Sequence, residues 1–545
     1  MHKHCFKILI SILAVYTSVQ AAETKNVVSS GVVSNGFTIG SNWKSMNGYL
    51  RGTGQLNYLF ADSKFSEQFD VEIKMSLTNI NHTKTAFIFG SEYFVFDNEN
   101  GKVVLQGWEF DKPRILADTT ALIKCGKQFI FNAEVSDERI IFKIDGKRIC
   151  EASFIDKRNI QIGIMPWEGT ILISDFKVTG TAVNFARPSL PKTSTIPIVD
   201  ISQEVSRQVV IAQGTAEIYQ GHPTTVLMSD NHTMFCVWTY GHGGSCGPLK
   251  KSVNGGLTWS QLLPVHPSWT TVSNCPGIFR MSGANGIEKL RVFAQKNYGN
   301  GIVSMVQSFS NDQGATWSEM TSLGIGGKLG MPFCSIVNLS PGVYLGMTNI
   351  RRPFDPDSKS NTVAQSYSYD GGATWSKWEK AIDMLGYYPC EPFVMKSPDG
   401  KQLLCLLREN TRAYNAFAMI SNDDGKTWSE PWEVPAPLSG DRHIARYAQD
   451  GRIVCVFRDK SMDSSRHHFV GWVGTYDDII NKRQGQYKIK LLHNYRVWDC
   501  GYPGLEILPD GTFVATTYLK YREGEEQNSV ACTRFKLSET DSKVQ

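Results

Sequence analysis

The sequence carries no excess of charge of either sign: 56 lysines and arginines stand against 52 aspartates and glutamates, a formal +4 over 545 residues. That balance excludes nucleic acid or an anionic membrane surface as the main partner, since both select a marked basic excess. Long apolar runs are missing as well. The stretch from Ile8 to Val19 falls short of the roughly 20 residues that a membrane span needs, and no later segment is long enough, so no integral membrane segment is expected. Cysteine is present without organisation. No CxxC pair and no Cys/His spacing suggests zinc, and neither a metal nor a cofactor is expected. Cys236, Cys405 and Cys455 lie in apolar strand patterns, FCVW, LLCLL and IVCVF, where a buried free thiol fits better than a disulfide framework.

What the chain does have is length, glycine and aromatics. Its 545 residues are too many for one hydrophobic core, so at least two domains are expected. With 48 glycines, 13 tryptophans and 20 tyrosines it reads as a turn-rich, all-β chain of short strands, not a disordered or collagenous one. Residues 1–22 have the pattern of a secretory signal: Lys3 and Lys7, the apolar stretch, then Val19, Ala21 and Ala22 as small residues for cleavage. The expectation is an exported protein, periplasmic or secreted.

From 25 to 183, alternating runs such as FDVEIKMSL, TAFIFG, YFVFD and FIFNAEV are separated by Gly, Asn and Asp turns. IIFKIDGKRI reads as a hairpin on its Asp-Gly turn. This pattern predicts a β-sandwich and resembles the concanavalin-like (laminin-G-type) sandwiches attached to secreted glycan-degrading enzymes. Residues 184–204 hold a proline-rich stretch, NFARPSLPKTSTIP, read as a stiff linker.

After the linker the sequence repeats. SVNGGLTW, SNDQGATW, SYDGGATW and SNDDGKTW end at Trp259, Trp317, Trp375 and Trp428, with Asn254 replacing Asp in the first copy. In each, the acidic residue is suited to bond turn amides, glycine to take the left-handed conformation, and tryptophan to plug the sheet. These repeats resemble the Asp-boxes of the sialidase-type β-propeller. A second series of turns runs between them, near Ser229–Asp230, Ala284–Gly286, Ser340–Gly342, Pro398–Gly400, Asp450–Gly451 and Asp510–Gly511. Six hairpins predict six blades of four strands over residues 205–537.

If each turn joins the first two strands of a blade, residues equidistant from it are neighbours, and those farthest from it share the opposite face. Counting outward puts His222 and Thr239 to His242 there from blade one, and Met331 facing Arg351 and Arg352 from blade three. Glu391 faces Arg408 in blade four, Arg442 faces Arg458 in blade five with Asp441, His443 and Arg466 close by, and Tyr502 faces Tyr518 in blade six. Guanidinium groups gathered in one cleft form a receptor for carboxylate or phosphate, because each planar fork binds an oxyanion in bidentate fashion.

Here the resemblance to sialidases becomes specific. CEPFVMKSPDGKQLLCLLREN matches the family's glutamate and arginine of blade four with Glu391 and Arg408. FRDKSMDSSR offers Arg458 or Arg466 for a further arginine, and GYPGLEILPDGTFVATTY places Tyr502 at the nucleophile position. The resemblance implies that Glu391 acts as base for Tyr502, which attacks the anomeric carbon, while the arginines hold the substrate carboxylate. Two positions depart from the family. Gly221-His222-Pro223 stands where sialidases have Arg-Ile-Pro, and TYGHGGSCG lacks the acid/base aspartate. His242 is the nearest titratable group, with Asp441 and His443 as rivals for the acid, and Arg442 is placed to replace the missing arginine.

The resulting expectation is a secreted exo-glycosidase acting on glycans that end in an acidic sugar, sialic acid first. Two alternatives stay open: a uronate-directed hydrolase or polysaccharide lyase using His222 and His242, and a non-catalytic glycan-binding propeller.

Overall fold

The computed structural model describes residues 22–544 except 55–56, 79–82, 90–91, 100–101, 110–111, 137–138, 154–159, 185–189, 299–302, 328, 352–360, 385–386, 413, 497 and 525. All but the last residue of the expected signal, Arg352, and residues 185–189 of the expected linker lie outside the described residues, as does the side chain of Arg351. The described chain falls into two compact units that divide near residue 186.

The first unit is all β. Its spine is the long strand Tyr58–Leu77, which pairs with Phe129–Ser136, Ile160–Glu168 and Thr170–Asn184 in one extensively bent, sandwich-like sheet. Strict alternation drives it: Phe129–Ser136 reads buried and half-buried by turns, which sends Phe129, Phe131, Ala133 and Val135 into the interior. There Phe131 stacks on Phe87 at 3.9 Å and meets Phe96 edge-on. Asp145 and Gly146 both take positive φ, 48° and 77°, the demand of a type I′ turn, and join Arg139–Ile144 to Lys147–Ser153.

The second unit is a six-bladed β-propeller. Its innermost strands are Gln220–Leu227, Ser273–Ser282, Ser335–Ser340, Pro389–Lys396, Gly440–Tyr447 and Gly501–Ile507, each followed by its antiparallel partner. They enclose an axial cavity of about 590 Å³. All six turn pairs picked out in the sequence join first strands to second strands. Four strands per blade is not uniform. The first blade shows three among the described residues, while the fifth gains an outer fifth strand, Ile198–Asp200, parallel to Tyr487–Leu492. That strand lies within the segment read as a linker. Its proline-rich composition masked a short apolar pattern, and Val199 and Ile201 are buried in the propeller. Gln208–Ala212 pairs with Ser529–Phe535 and closes the ring, so the beginning and end of the domain share the sixth blade.

The four repeats have one geometry. The leading serine Oγ accepts the amide of the glycine four residues on, at 2.8 to 2.9 Å in every copy. The third residue accepts the threonine amide at 2.9 Å. Asn254 does this as well as the aspartates, but it donates Nδ2 to Thr258 Oγ1 where they accept the threonine hydroxyl. In the third blade the repeat's Gly371 amide bonds the carbonyl of hairpin residue Gly342 at 2.9 Å, which puts both turns at one end of the blade. The opposite end is left for chemistry.

Candidate active site

At that opposite end the first strands break their pairing. Register shifts fall between Gly221 and Thr224, Ser273 and Gly277, Cys390 and Phe393, Asp441 and Ile444, and Gly501 and Gly504. Within each bulge a non-glycine residue has positive φ: His222 at 50°, Cys275 at 38°, Glu391 at 52°, Arg442 at 57° and Tyr502 at 54°. In four of the five, proline follows, which has no N–H to give the ladder and so is tolerated at a bulge. Left-handed backbone costs of order 1–3 kcal/mol at each such residue. Five copies of this strain at one end of a ring mark the place where side chains are re-aimed. The extra residue also corrects the counted pairings by one position. Arg408 lies opposite Cys390, Arg458 opposite Asp441 and Tyr518 opposite Gly501, not opposite Glu391, Arg442 and Tyr502.

The bulges bring Glu391 and Tyr502 together from blades four and six. The Tyr502 hydroxyl donates to Glu391 Oε1 at 2.5 Å, and Arg408 Nη1 donates to the same oxygen at 2.7 Å. Burial alone raises the Glu391 carboxyl, but Arg408 and Arg442 outweigh it and hold it below the usual range. Burial, with the Glu391 charge beside it, pushes the Tyr502 phenol well up. The proton therefore rests on tyrosine and the charge on glutamate, the short O–H···O⁻ bond expected of a base and the group it activates. Arg442 stands over the Tyr502 ring at 5.4 Å, with Nη1 buried and free of any hydrogen-bond partner.

Arg408 and Arg458 are engaged differently. Both converge on Asp441, which is 1% exposed. Arg408 Nε lies 3.0 Å from it, Arg458 Nε and Nη2 at 2.7 and 2.6 Å, Lys460 Nζ at 3.4 Å, and Arg412 closes the ring. Burial raises the Asp441 carboxyl, yet four cations drive it well below its ordinary 3.8, so it stays ionised and does not fit the acid role. Arg458 gives Nη1 to the carbonyls of Trp498 and Cys500, at 2.6 and 2.8 Å. Its fork is filled by the protein, and it anchors the segment leading into Tyr502 in place of holding a substrate carboxylate. His443 is fully buried against Phe457, bonded from Nε2 to the Leu438 carbonyl at 3.0 Å, and burial holds its pKa down to about 4. It is a core histidine. Arg466 is exposed on the loop beyond Lys460 and joins none of these contacts.

The remaining wall comes from blades one and six. His222 packs on Tyr502 at 4.4 Å and accepts the Gly243 amide on Nδ1 at 3.0 Å, which leaves the proton of the neutral ring on a buried, unpartnered Nε2. Burial, and then His242, keep it neutral. His242 is 4.6 Å from His222 and more than half exposed, with Nδ1 at 3.2 Å from the Tyr219 hydroxyl and 3.5 Å from Asp499. Asp499 is the residue that the counting missed. It accepts from Tyr219 at 3.0 Å, Tyr518 at 3.2 Å and Asn528 at 3.0 Å. Burial opposes its ionisation, but the bonds from His242 and Tyr219 lower its pKa. The signal was available in DCGYP, an aspartate three residues before the tyrosine. Among the described residues no group of three or more His, Cys, Asp or Glu is arranged to hold a metal ion.

Residues 288–513 match the family described as a BNR repeat-like domain. The anhydrosialidase of Macrobdella decora is 26% identical over 236 residues, which cover 40% of this chain and 29% of that protein's length. Together with the six-blade arrangement, these matches support a propeller of the sialidase-superfamily type. Among solved structures, the propeller-bearing chain is similar to a Dyadobacter fermentans protein of unknown function, at 14% identity and a TM-score of 0.47, covering 60% of this chain and 97% of that one. A leech intramolecular trans-sialidase complexed with 2,7-anhydro-Neu5Ac gives 15% identity and a TM-score of 0.43, covering 88% and 95%. The BNR repeat-like match spans both Glu391 and Tyr502.

Proposed function

We propose that the protein is an exported exo-glycosidase that removes a terminal acidic sugar from glycans, with sialic acid the first candidate. The Tyr502–Glu391 bond is the observation that carries this reading. A phenol activated by an adjacent carboxylate attacks the anomeric carbon without bringing its own full charge against a sugar that bears one. Glu391 takes the phenolic proton as the tyrosine–sugar bond forms and the glycosidic bond breaks. His242, backed by Asp499, gives the leaving oxygen its proton, then takes one from the water that cleaves the glycosyl-tyrosine. Arg442 offers its open Nη1 to the sugar carboxylate, and His222 offers the Nε2 proton.

The test is product analysis against a panel of acidic glycans, with a fluorogenic sialoside as the first substrate. Release of the free sugar, abolished in Tyr502→Phe, supports the proposal. An unsaturated uronate absorbance would replace it with a lyase, and binding without any product would replace it with a glycan-binding module. A second observation sharpens the acid assignment. His242→Ala is expected to slow substrates with poor leaving groups by about 10²-fold or more. Aryl glycosides, whose leaving group departs unprotonated, should be slowed far less. Equal slowing of both would remove His242 from the acid role.

A further inference from the structure

A second cavity, of about 150 Å³, lies beside the Asp441 cluster and is lined by Lys192, Glu409, Arg412, Lys460, Arg466 and His467 among others. Arg412 and Lys460 contact Asp441 from this side, while Arg408 contacts it from the side of Glu391. The cavity is thus linked to the Tyr502–Glu391 pair by contacts that run through Asp441 and Arg408. Four cations line it against one carboxylate, and that carboxylate is already occupied: Glu409 accepts the amides of Tyr388, Thr411 and Arg412 and the Thr411 hydroxyl, at 2.7 to 3.1 Å. The same bonds hold Arg412 in a left-handed conformation, φ 68°. Arg466 is exposed, and its guanidinium has no hydrogen bond or ion pair among the described residues.

The wall is built before any ligand arrives. Lys488, fully buried, bonds Asp459 at 2.7 Å, Ser461 at 2.7 Å and Asp463 at 2.6 Å. Asp459 and Asp463 in turn fix the amides and hydroxyls of Ser461 and Ser465. The loop that carries Lys460, Arg466 and His467 is therefore pinned at its base. Lys192 ties the opposite wall by donating to the Arg412 carbonyl at 2.6 Å. Preorganised cations with one open guanidinium favour an oxyanion. The positive field is felt by the neighbours: burial and then Lys460 and Arg466 hold His467 down to about 4. A volume of this size suits one oxyanion group with a few waters, each about 30 Å³, and not a further sugar ring beside them.

We infer that this cavity is a second anion subsite, which takes the sulfate ester or carboxylate of the sugar next to the terminal acidic one. The identity of the substrate rests on the glycosidase reading; the anion site itself does not. Arg442 serves the terminal carboxylate and Arg466 the second acid group, so the preferred glycan carries two anions in sequence.

Inorganic sulfate is the direct probe, titrated by calorimetry into the Tyr502→Phe protein. Two binding events are expected, of which Arg466→Gln removes one and Arg442→Gln the other. Arg466 is exposed, so the substitution leaves folding intact. An isotherm unchanged by Arg466→Gln overturns the subsite. In the active enzyme, kcat/KM for a substrate with a sulfated or carboxylated penultimate sugar should exceed that for its neutral counterpart by about tenfold, the effect of one charge-assisted contact. Arg466→Gln should bring that ratio close to one, and a ratio insensitive to the substitution contradicts the assignment. Comparing the sulfated with the carboxylated substrate tells which anion is used. If neither substrate turns over while the sulfate isotherm still responds to Arg466→Gln, the subsite stands and the glycosidase reading falls.

Discussion

Two buried aspartates flank the candidate site, and their surroundings differ in kind. Asp441, between blades four and five, is surrounded by Arg408, Arg412, Arg458 and Lys460. Asp499, leading into blade six, is surrounded by two phenols, an amide and the edge of His242, with Arg496 at 3.5 Å. One carboxylate neutralises buried cations and holds Arg408 against Glu391. The other is satisfied mostly by neutral donors and leaves a histidine beside it exposed. Burial alone does not separate structural from chemical carboxylates; the partners do. The cation-ringed aspartate is a keystone, and the phenol-ringed one is placed to position His242, the acid of the proposed mechanism.

The largest expected effect is on Asp441. Asp441→Asn leaves Arg458 without its counter-charge and Arg408 with Glu391 alone, and loss of one partner of such a buried pair costs about 3–5 kcal/mol. Chemical unfolding at neutral pH should show that loss, accompanied by loss of activity. Asp499→Asn keeps most of its hydrogen bonds, so about 1–2 kcal/mol of stability is expected to go, while turnover falls by about 10²-fold on poor leaving groups. Equal destabilisation by the two substitutions would break the distinction.

A pH series sharpens it. The folded Asp441 carboxyl lies well below its ordinary 3.8, so its stabilising contribution is fully present above that value and is lost as pH falls through the depressed pKa. The stability gap between wild type and Asp441→Asn should therefore narrow in strong acid. A gap that widens or stays constant would mean that Asp441 is not the ionised hub. The smallest effect is expected for Arg458→Lys, which keeps a charge for Asp441 but loses the fork that also reaches Trp498 and Cys500. A fall in kcat of about tenfold with KM little changed would mark it as positioning Tyr502. A rise in KM alone would return it to carboxylate binding.

The contrast also explains what was readable in the sequence. The repeats and hairpin turns announce the ring, because each is a local motif whose geometry depends on its own eight or so residues. Glu391, Tyr502, Arg408 and His222 follow from that ring, since position along a strand decides which end a residue reaches. The single-residue offset does not follow from counting alone. It comes from the bulges, whose signal is the X-Pro series of His222, Cys275, Glu391 and Tyr502 at equivalent places. Asp499 and Tyr219 precede their strands, outside any position defined by a turn. The role of Arg458 depends on which carbonyls and carboxylates meet its fork, which is a matter of packing between blades.

The central claim is that Tyr502 becomes covalently attached to the sugar. A fluorinated analogue of the terminal acidic sugar, chosen to slow hydrolysis of the intermediate, should accumulate as a glycosyl-enzyme. Peptide mass spectrometry is predicted to find the added mass on Tyr502, and to find none in Tyr502→Phe or after long incubation with water and no inhibitor. A label on any other residue, or substrate turnover by Tyr502→Phe at the wild-type rate, would contradict the account.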